Sequence, residues 1–106
     1  MANITHPAPD TIALAGEIDL NESPRVREAL STQLEQKPAT LFVDLTEVSY
    51  MDSSGLAVLI EALQKAQSFS GKLAIYGLQP NVKTIFEIAR LDQIFTLYAD
   101  RTAAEA

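Results

Sequence analysis

The chain of 106 residues contains no cysteine and only one histidine. Without cysteine it can have no disulfide framework, thiolate zinc site or thiol nucleophile. The single histidine, His6, lies in a proline-rich N-terminal segment, so a Ser-His-acid triad has little support. Neither glycine-rich phosphate-binding pattern, GxxxxGK[ST] or GxGxxG, occurs. The sequence therefore predicts a protein that is not an enzyme, has no catalytic residues and needs no cofactor.

Long apolar runs and clustered basic residues are also missing. No run approaches the roughly 18 apolar residues of a membrane-spanning helix, and the N-terminal segment has no signal-peptide pattern. We therefore expect a cytoplasmic protein without membrane insertion. The net charge is −6 and the 8 Lys and Arg residues are scattered, whereas nucleic acid binding requires clustered positive charge. No direct contact with nucleic acid is expected, and the acidic surface is compatible with a basic protein partner.

The most informative stretch covers residues 41–67. It begins with LFVDL, the apolar pattern of a strand that is buried on both faces. After a short polar connection, DSSG at residues 52–55 opens a helix with one apolar face, made of Leu56, Leu59, Ile60, Leu63 and Ala66. A helix N-terminus has free N–H groups and a positive dipole end, which favour an anion such as phosphate. Ordinary helix capping by Ser53 or Ser54 is the simpler alternative.

Strands and helices alternate along the rest of the chain. Strands are predicted at residues 11–15, 72–76 and 94–98, with a short proline-interrupted edge strand at 3–6 in which His6 is solvated. Helices are predicted at about 22–36, at 80–91 and, in part, in the tail 100–106, and Gly71 is expected to end the second helix. Alternation implies parallel pairing. We expect one α/β domain over residues 1–106, with its core at about 11–98 and helices packed on a mostly parallel sheet of four to five strands.

Two kinds of site are conceivable for the polar residues at the strand ends. Asp19, Asp44 and Asp52 have the oxygen ligands of a hard-cation site, but such carboxylates are more often solvated or capping, so no metal is predicted. An exposed serine at the corner instead suits a switch, because a phosphoryl group adds about −1.5 to −2 charges and would expel a partner.

The outer side of the same helix is expected to extend this partner surface. Its exposed residues are predicted to include Val58, Ala62 and Lys65. Packing in the core is the alternative for Val58, because helical phase alone allows either position.

The segments VDLTEVSYMDSSGLAVLIEAL and AGEIDL resemble the STAS family of sulphate transporter and anti-sigma factor antagonist domains. The likeness is greatest to the free-standing bacterial anti-sigma factor antagonists and extends over residues 11–98. GKLAIYGLQPNVKTIFEIARLDQIF is similar to the later strand, third helix and last strand of the family. The resemblance implies a single STAS-like domain, monomeric or weakly dimeric.

In these antagonists the first serine of D-S-S-G is phosphorylated by an anti-sigma factor that is itself a GHKL-type serine kinase, and a metal-dependent serine phosphatase resets the switch. The unphosphorylated form binds the kinase and frees the sigma factor. The resemblance therefore implies that Ser53 is the phosphoacceptor. It also implies that Asp19, Asp52, Ser54 and Gly55 belong to the partner-binding face.

Two other functions are considered. One is a non-phosphorylated STAS scaffold subunit of a transporter or signalling assembly. The other is a small hydrolase using Ser53, which has little support because no residue of the motif resembles a proper general base.

Overall fold

The computed structural model describes residues 2–106. Its strands are β1 Ala2–Ala8, β2 Thr11–Ile18, β3 Thr40–Met51, β4 Lys72–Tyr76 and β5 Leu97–Tyr98. Its α-helices are α1 Ser23–Leu34, α2 Ser53–Ser68, α3 Pro80–Ile88 and α4 Arg101–Glu105, and a 3-10 turn covers Leu91–Gln93. None of the helices in this part of the chain is long and apolar enough to cross a membrane.

The sheet has the strand order β1-β2-β3-β4-β5, so each strand pairs only with its neighbours in sequence. β1 runs antiparallel to β2 at one edge, and the other pairs are parallel. This confirms the predicted α/β fold. β1 is longer than predicted and contains Pro7. The proline is tolerated because the strand lies at the edge and its register shifts between Thr5 and Ala8.

The two faces of the sheet are covered differently. One face belongs to the main core and includes Leu41, Val43, Leu73 and Ile75, with buried residues of α1, α2 and α3. The other face carries a smaller cluster of Phe42, Ala74 and Tyr76, against which Ala104 of α4 packs. Alternate residues of a strand point to opposite faces, so β3 and β4 contribute to both clusters. Ala2 also belongs to the main core.

Some element ends differ from the prediction. β3 continues to Met51 where a polar connection was expected after Leu45, because Val48 and Met51 are buried and keep the strand on the core. β5 is shorter than predicted, since Ile94 is 57 % exposed and lies outside the strand.

Two helix ends also differ. α2 ends at Ser68, and Ser70 rather than Gly71 takes the left-handed conformation, with a φ of 63°. α3 ends at Ile88 rather than at Leu91, because Arg90 is left-handed, with a φ of 60°, and interrupts the helix.

A buried glutamine attaches the β1–β2 hairpin to α1. Gln33 is 7 % exposed, and the carbonyl oxygens of residues 8, 9 and 11, at 2.9 to 3.1 Å from its Nε2, share the two hydrogens of this amide group. Its Oε1 must then accept, so the contact with His6 Nδ1 at 2.8 Å is a hydrogen bond that the histidine donates. His6 is exposed as predicted, but it is tied to α1.

The last helix is attached to the back of the sheet by Arg101. The guanidinium group stacks on the ring of Phe42, 3.8 Å from its centroid, and Nη1 donates to Thr11 Oγ1 at 2.7 Å. An ion pair with Glu105 at 3.2 Å holds the same side chain within α4. The partial terminal helix that was predicted is therefore present and joined to β2 and β3.

Candidate functional site

The candidate site lies where β3 leads into α2, beside the end of β2. Ile18 and Met51 form the last register pair of these two parallel strands. The N–H of Asp52 donates to the carbonyl oxygen of Ile18 at 3.2 Å. Since parallel strands end at the same edge of a sheet, the structure places Asp19 and the 52–55 segment together at this corner.

Asp52 is the N-cap of α2. Its Oδ1 accepts hydrogen bonds from the N–H groups of Ser54 at 2.9 Å and Gly55 at 3.3 Å, and from the Ser54 hydroxyl at 2.5 Å. The Ser54 hydroxyl is the main cause that lowers the pKa of Asp52; burial opposes it and the backbone N–H groups add to it. The alternative that Ser53 or Ser54 is the N-cap of this helix is wrong, because the extended residue before the helix is Asp52.

The two serines after this cap differ in their surroundings. Ser53 is the first residue of α2 and is exposed, and its hydroxyl forms no hydrogen bond within residues 2–106. Ser54 is half-buried, and its hydroxyl contacts both Asp52 and Ser23. Only the first serine therefore presents a free hydroxyl to a macromolecular partner.

Gly55 allows the close approach of α2 to the sheet. A Cβ atom at this position would lie 2.7 Å from Met51 Cγ and 3.0 Å from the carbonyl oxygen of Ile18. Backbone cannot give way as a side chain can, so a larger residue would push the start of α2 outward. Gly55 is buried and acts on the site by fixing the position of the first turn.

Asp19 organises the other half of the corner. Its Oδ1 accepts hydrogen bonds from the N–H groups of Asn21 at 3.0 Å and Glu22 at 3.1 Å. Its carbonyl oxygen also accepts from the N–H groups of Glu22 and Ser23. The half-buried Asp19 therefore shapes the loop that leads into α1.

Comparison with known proteins establishes the family to which the chain belongs. The sequence model described as "STAS domain" matches residues 3–104. The chain belongs to the STAS domain family. An anti-sigma-B factor antagonist of Listeria monocytogenes is 40 % identical over 86 residues, which are 81 % of this chain and 75 % of the relative. The resemblance inferred from DSSG and AGEIDL is thus confirmed.

Two solved structures that are 18 % and 22 % identical to this chain share the fold. An anti-sigma factor antagonist from Mycobacterium paratuberculosis superposes with a TM-score of 0.88 at 22 % identity, over 98 % of this chain and 91 % of the other. The Bacillus cell fate determinant SpoIIAA in its phosphorylated form gives a TM-score of 0.70 at 18 % identity, over 99 % and 97 %.

The prediction that Val58 and Ala62 are exposed on the outer side of α2 is wrong. Val58 is 1 % exposed and Ala62 is 5 % exposed, and both face α1 in a groove that also includes Leu30. Lys65 is half-buried and donates to Ser31 Oγ at 2.7 Å. Helical phase located one apolar face, whereas α2 packs on both the sheet and α1 and needs a wider one. Val58 therefore lies in the core and offers no contact surface.

The three aspartates considered for a cation do not converge. Asp44 lies inside β3, opposite Ala13 and Tyr76, and its Oδ1 accepts from the backbone and hydroxyl of Thr46. Asp19 and Asp52 lie beyond the ends of their strands. Residues 2–106 contain no group of three or more side chains suited to bind a metal ion.

Three residues of the corner were missed by sequence reasoning. Leu20 is 74 % exposed directly after Asp19, and Tyr50 is 44 % exposed shortly before Asp52. An apolar residue inside the polar loop DLNES was the available signal for Leu20. Ser23 is 3 % exposed and touches Ser54 at 2.8 Å, and no local pattern predicts a contact across 31 residues of sequence.

Proposed function

We propose that this STAS domain is an anti-sigma factor antagonist that acts as a phosphorylation switch at Ser53. The observation that carries the proposal is the exposed hydroxyl of Ser53 at the start of α2, which makes no hydrogen bond within residues 2–106. The hydroxyl of the next serine, Ser54, instead donates to Asp52. The Listeria relative named as an anti-sigma-B factor antagonist supports the regulatory role. The partner is then a cytoplasmic anti-sigma factor of the GHKL serine-kinase type, and a metal-dependent phosphatase restores the free serine.

The charge at the corner explains how phosphorylation would work. The lowered pKa of Asp52 keeps this carboxylate ionised at neutral pH. A phosphoryl group on Ser53 adds about −1.5 to −2 charges beside it. The N-terminus of α2 offsets part of that charge, so the domain stays folded, while a partner that fits the unmodified corner meets a much more negative surface.

Apolar residues at the same edge complete the proposed partner face. Leu20 is exposed directly after Asp19, and Tyr50 is exposed one residue before β3 ends, so both offer apolar contact area near the ends of β2 and β3. Buried apolar contacts with a polar rim are typical of protein interfaces. Ser54 and Gly55 stabilise this face. Ser54 donates a hydrogen bond to Asp52, and Gly55 sets the position of α2.

Binding to the anti-sigma factor tests the switch. Ser53→Ala should bind constitutively, and Ser53→Asp should weaken binding about 100-fold, since an unfavourable charge in an interface costs several kcal/mol. Ser68→Asp, at the far end of the same helix, is the matched control and should bind like the wild type. Isothermal titration calorimetry measures all four proteins. Equal affinities for Ser53→Asp and the control would contradict the proposal.

Phosphosite mapping by mass spectrometry shows whether cells use the switch. Protein isolated from its own cells during growth and under stress should carry phosphate on Ser53, with an occupancy that changes between the two conditions. An unmodified Ser53 in every condition would instead favour the scaffold subunit of a transporter or signalling assembly.

A further inference from the structure

A row of four oxygen atoms connects the two loops of the corner. Ser23 Oγ lies 2.8 Å from the carbonyl oxygen of Asp19 and 2.8 Å from Ser54 Oγ. Ser54 Oγ in turn lies 2.5 Å from Asp52 Oδ1. The row thus links the loop before α1 to the loop before α2, which are separate in sequence.

Counting hydrogens shows that the three contacts in this row cannot all be hydrogen bonds at once. Ser23 and Ser54 each have one hydroxyl hydrogen. The two ends of the row, the carbonyl oxygen of Asp19 and the ionised carboxylate of Asp52, only accept. Two hydrogens must therefore serve three contacts, and one contact is left without a hydrogen.

The neighbouring hydrogen bonds indicate which of the three contacts is left without a hydrogen. The carbonyl oxygen of Asp19 already accepts the N–H groups of Glu22 at 3.1 Å and Ser23 at 2.9 Å, so it loses little without the hydroxyl. The Asp52 carboxylate is the stronger acceptor, because a hydrogen bond to a charged group is stronger than one to a neutral group. The favoured arrangement runs from Ser23 to Ser54 and from Ser54 to Asp52, and hydrogen bonds in such a chain strengthen one another.

We propose that Ser23 is a positioning residue that makes the switch selective for Ser53. By donating to Ser54, Ser23 holds the Ser54 hydroxyl on Asp52 and leaves Ser53 as the only free hydroxyl of the pair. This part rests on the proposed function, in which the kinase forms a bond between the serine Oγ and the γ-phosphorus of ATP. The bond to ADP breaks, and the hydroxyl proton passes to a base of the kinase.

The direction of the hydrogen bonds in this row can be tested without any partner. The pKa of the Asp52 carboxyl is measured by ¹³C NMR during a pH titration of the full chain. Ser54→Ala should raise the pKa of Asp52 most, because it removes the hydroxyl donor. Ser23→Ala should raise it less, and Ser23→Thr, which keeps a hydroxyl, should restore it. Ser49→Ala, whose hydroxyl lies on β3 outside the row, should leave it unchanged. A folded Ser23→Ala protein with the wild-type pKa of Asp52 would overturn the proposal.

Selectivity is tested by locating the phosphate by mass spectrometry on variants expressed in the native cells. Ser23→Ala should increase the fraction of phosphate on Ser54 about 2- to 10-fold, the range that one hydrogen bond of ordinary strength allows. Ser23→Thr should return the phosphate to Ser53. Phosphate that stays on Ser53 alone in Ser23→Ala would overturn the selectivity. Wild-type protein with no phosphate at all would instead contradict the proposed function, while the Asp52 titration would still decide whether the hydroxyl row exists.

Discussion

Two of the strand-to-helix connections have the same topology but differ in the side chain that precedes the helix. At one, β3 leads into α2 through Asp52, whose side chain caps the helix. At the other, β4 leads into α3 through Gln79, which makes no side-chain cap and is followed by Pro80. The side chain of Gln79 instead donates to the carbonyl oxygen of Thr46 at 3.0 Å. Both N-cap residues are extended, so the backbone path is alike and the difference lies in the side chains.

The difference teaches where a parallel sheet can hold a switch. Proline has no N–H group, so at the start of α3 it removes one of the donors that an anion would use. α1 also has a proline, Pro24, in its first turn. Of the three crossover helices, α2 is the one that keeps its first N–H groups and adds a side-chain cap. The corner that carries Ser53 is therefore the one suited to added negative charge.

Of the changes to residues of the 52–55 segment, Gly55→Ala should have the largest effect, because it disturbs the close approach of α2. The new Cβ would lie 3.0 Å from the Ile18 carbonyl oxygen, and overpacking of this kind costs about 2 kcal/mol of unfolding free energy. Urea denaturation measures the loss. Ser53→Ala, an exposed change in the same turn, is the control. Wild-type stability in Gly55→Ala would mean that the first turn can shift freely.

Removing the cap should have the next largest effect. Asp52→Ala should lower the unfolding free energy by about 1 kcal/mol, whereas Gln79→Ala should cost less because the Gln79 side chain does not cap α3.

Since the folded pKa of Asp52 lies below its ordinary value of 3.8, the charged form of Asp52 stabilises the fold above that pH. This contribution is lost as the pH falls through the lower folded value. Denaturation curves at pH 7 and pH 2 should therefore show a smaller difference between wild type and Asp52→Asn at pH 2. An equal difference at both pH values would contradict the role of the charge.

Ser53→Pro should have the smallest effect on stability, although it makes the two corners alike. Proline suits the first helical position, and the extended Asp52 before it is compatible with proline. We expect a change of less than about 1 kcal/mol, measured by thermal unfolding. Ala57→Pro, later in the same helix, should cost about 3 kcal/mol. Equal destabilisation by both prolines would show that α2 begins differently.

The sequence predicted local patterns well. The strand at Lys72–Tyr76 was predicted with the bounds that the structure has, and the first helix, predicted at about 22–36, covers Ser23–Leu34. The strand could be predicted because it is a short apolar run, and the helix because it has one buried face and clear end signals.

The features that the sequence did not predict depend on contacts between distant segments. Helical phase could not show that Val58 is covered by α1, since the pattern of α2 alone does not reveal a second packed neighbour. The extent of β3 depends on its pairing with β2 as far as Met51. The contact between Ser23 and Ser54 exists only because two strand ends meet. Sequence therefore indicated the corner and its exposed serine, but not the side chains that hold them.

The strand order has a consequence for the order in which the domain folds. Each strand pairs with its neighbour in the chain, so the sheet can grow by one strand-helix-strand unit at a time and no strand has to wait for a distant segment. The contact of Arg101 with Thr11 joins residues 90 positions apart and should form last. Stopped-flow kinetics of Arg101→Ala should therefore show faster unfolding and an unchanged folding rate. A slower folding rate would place this contact in the transition state. Because a contact that forms after the transition state slows unfolding, we expect the C-terminal helix to lengthen the lifetime of the folded domain.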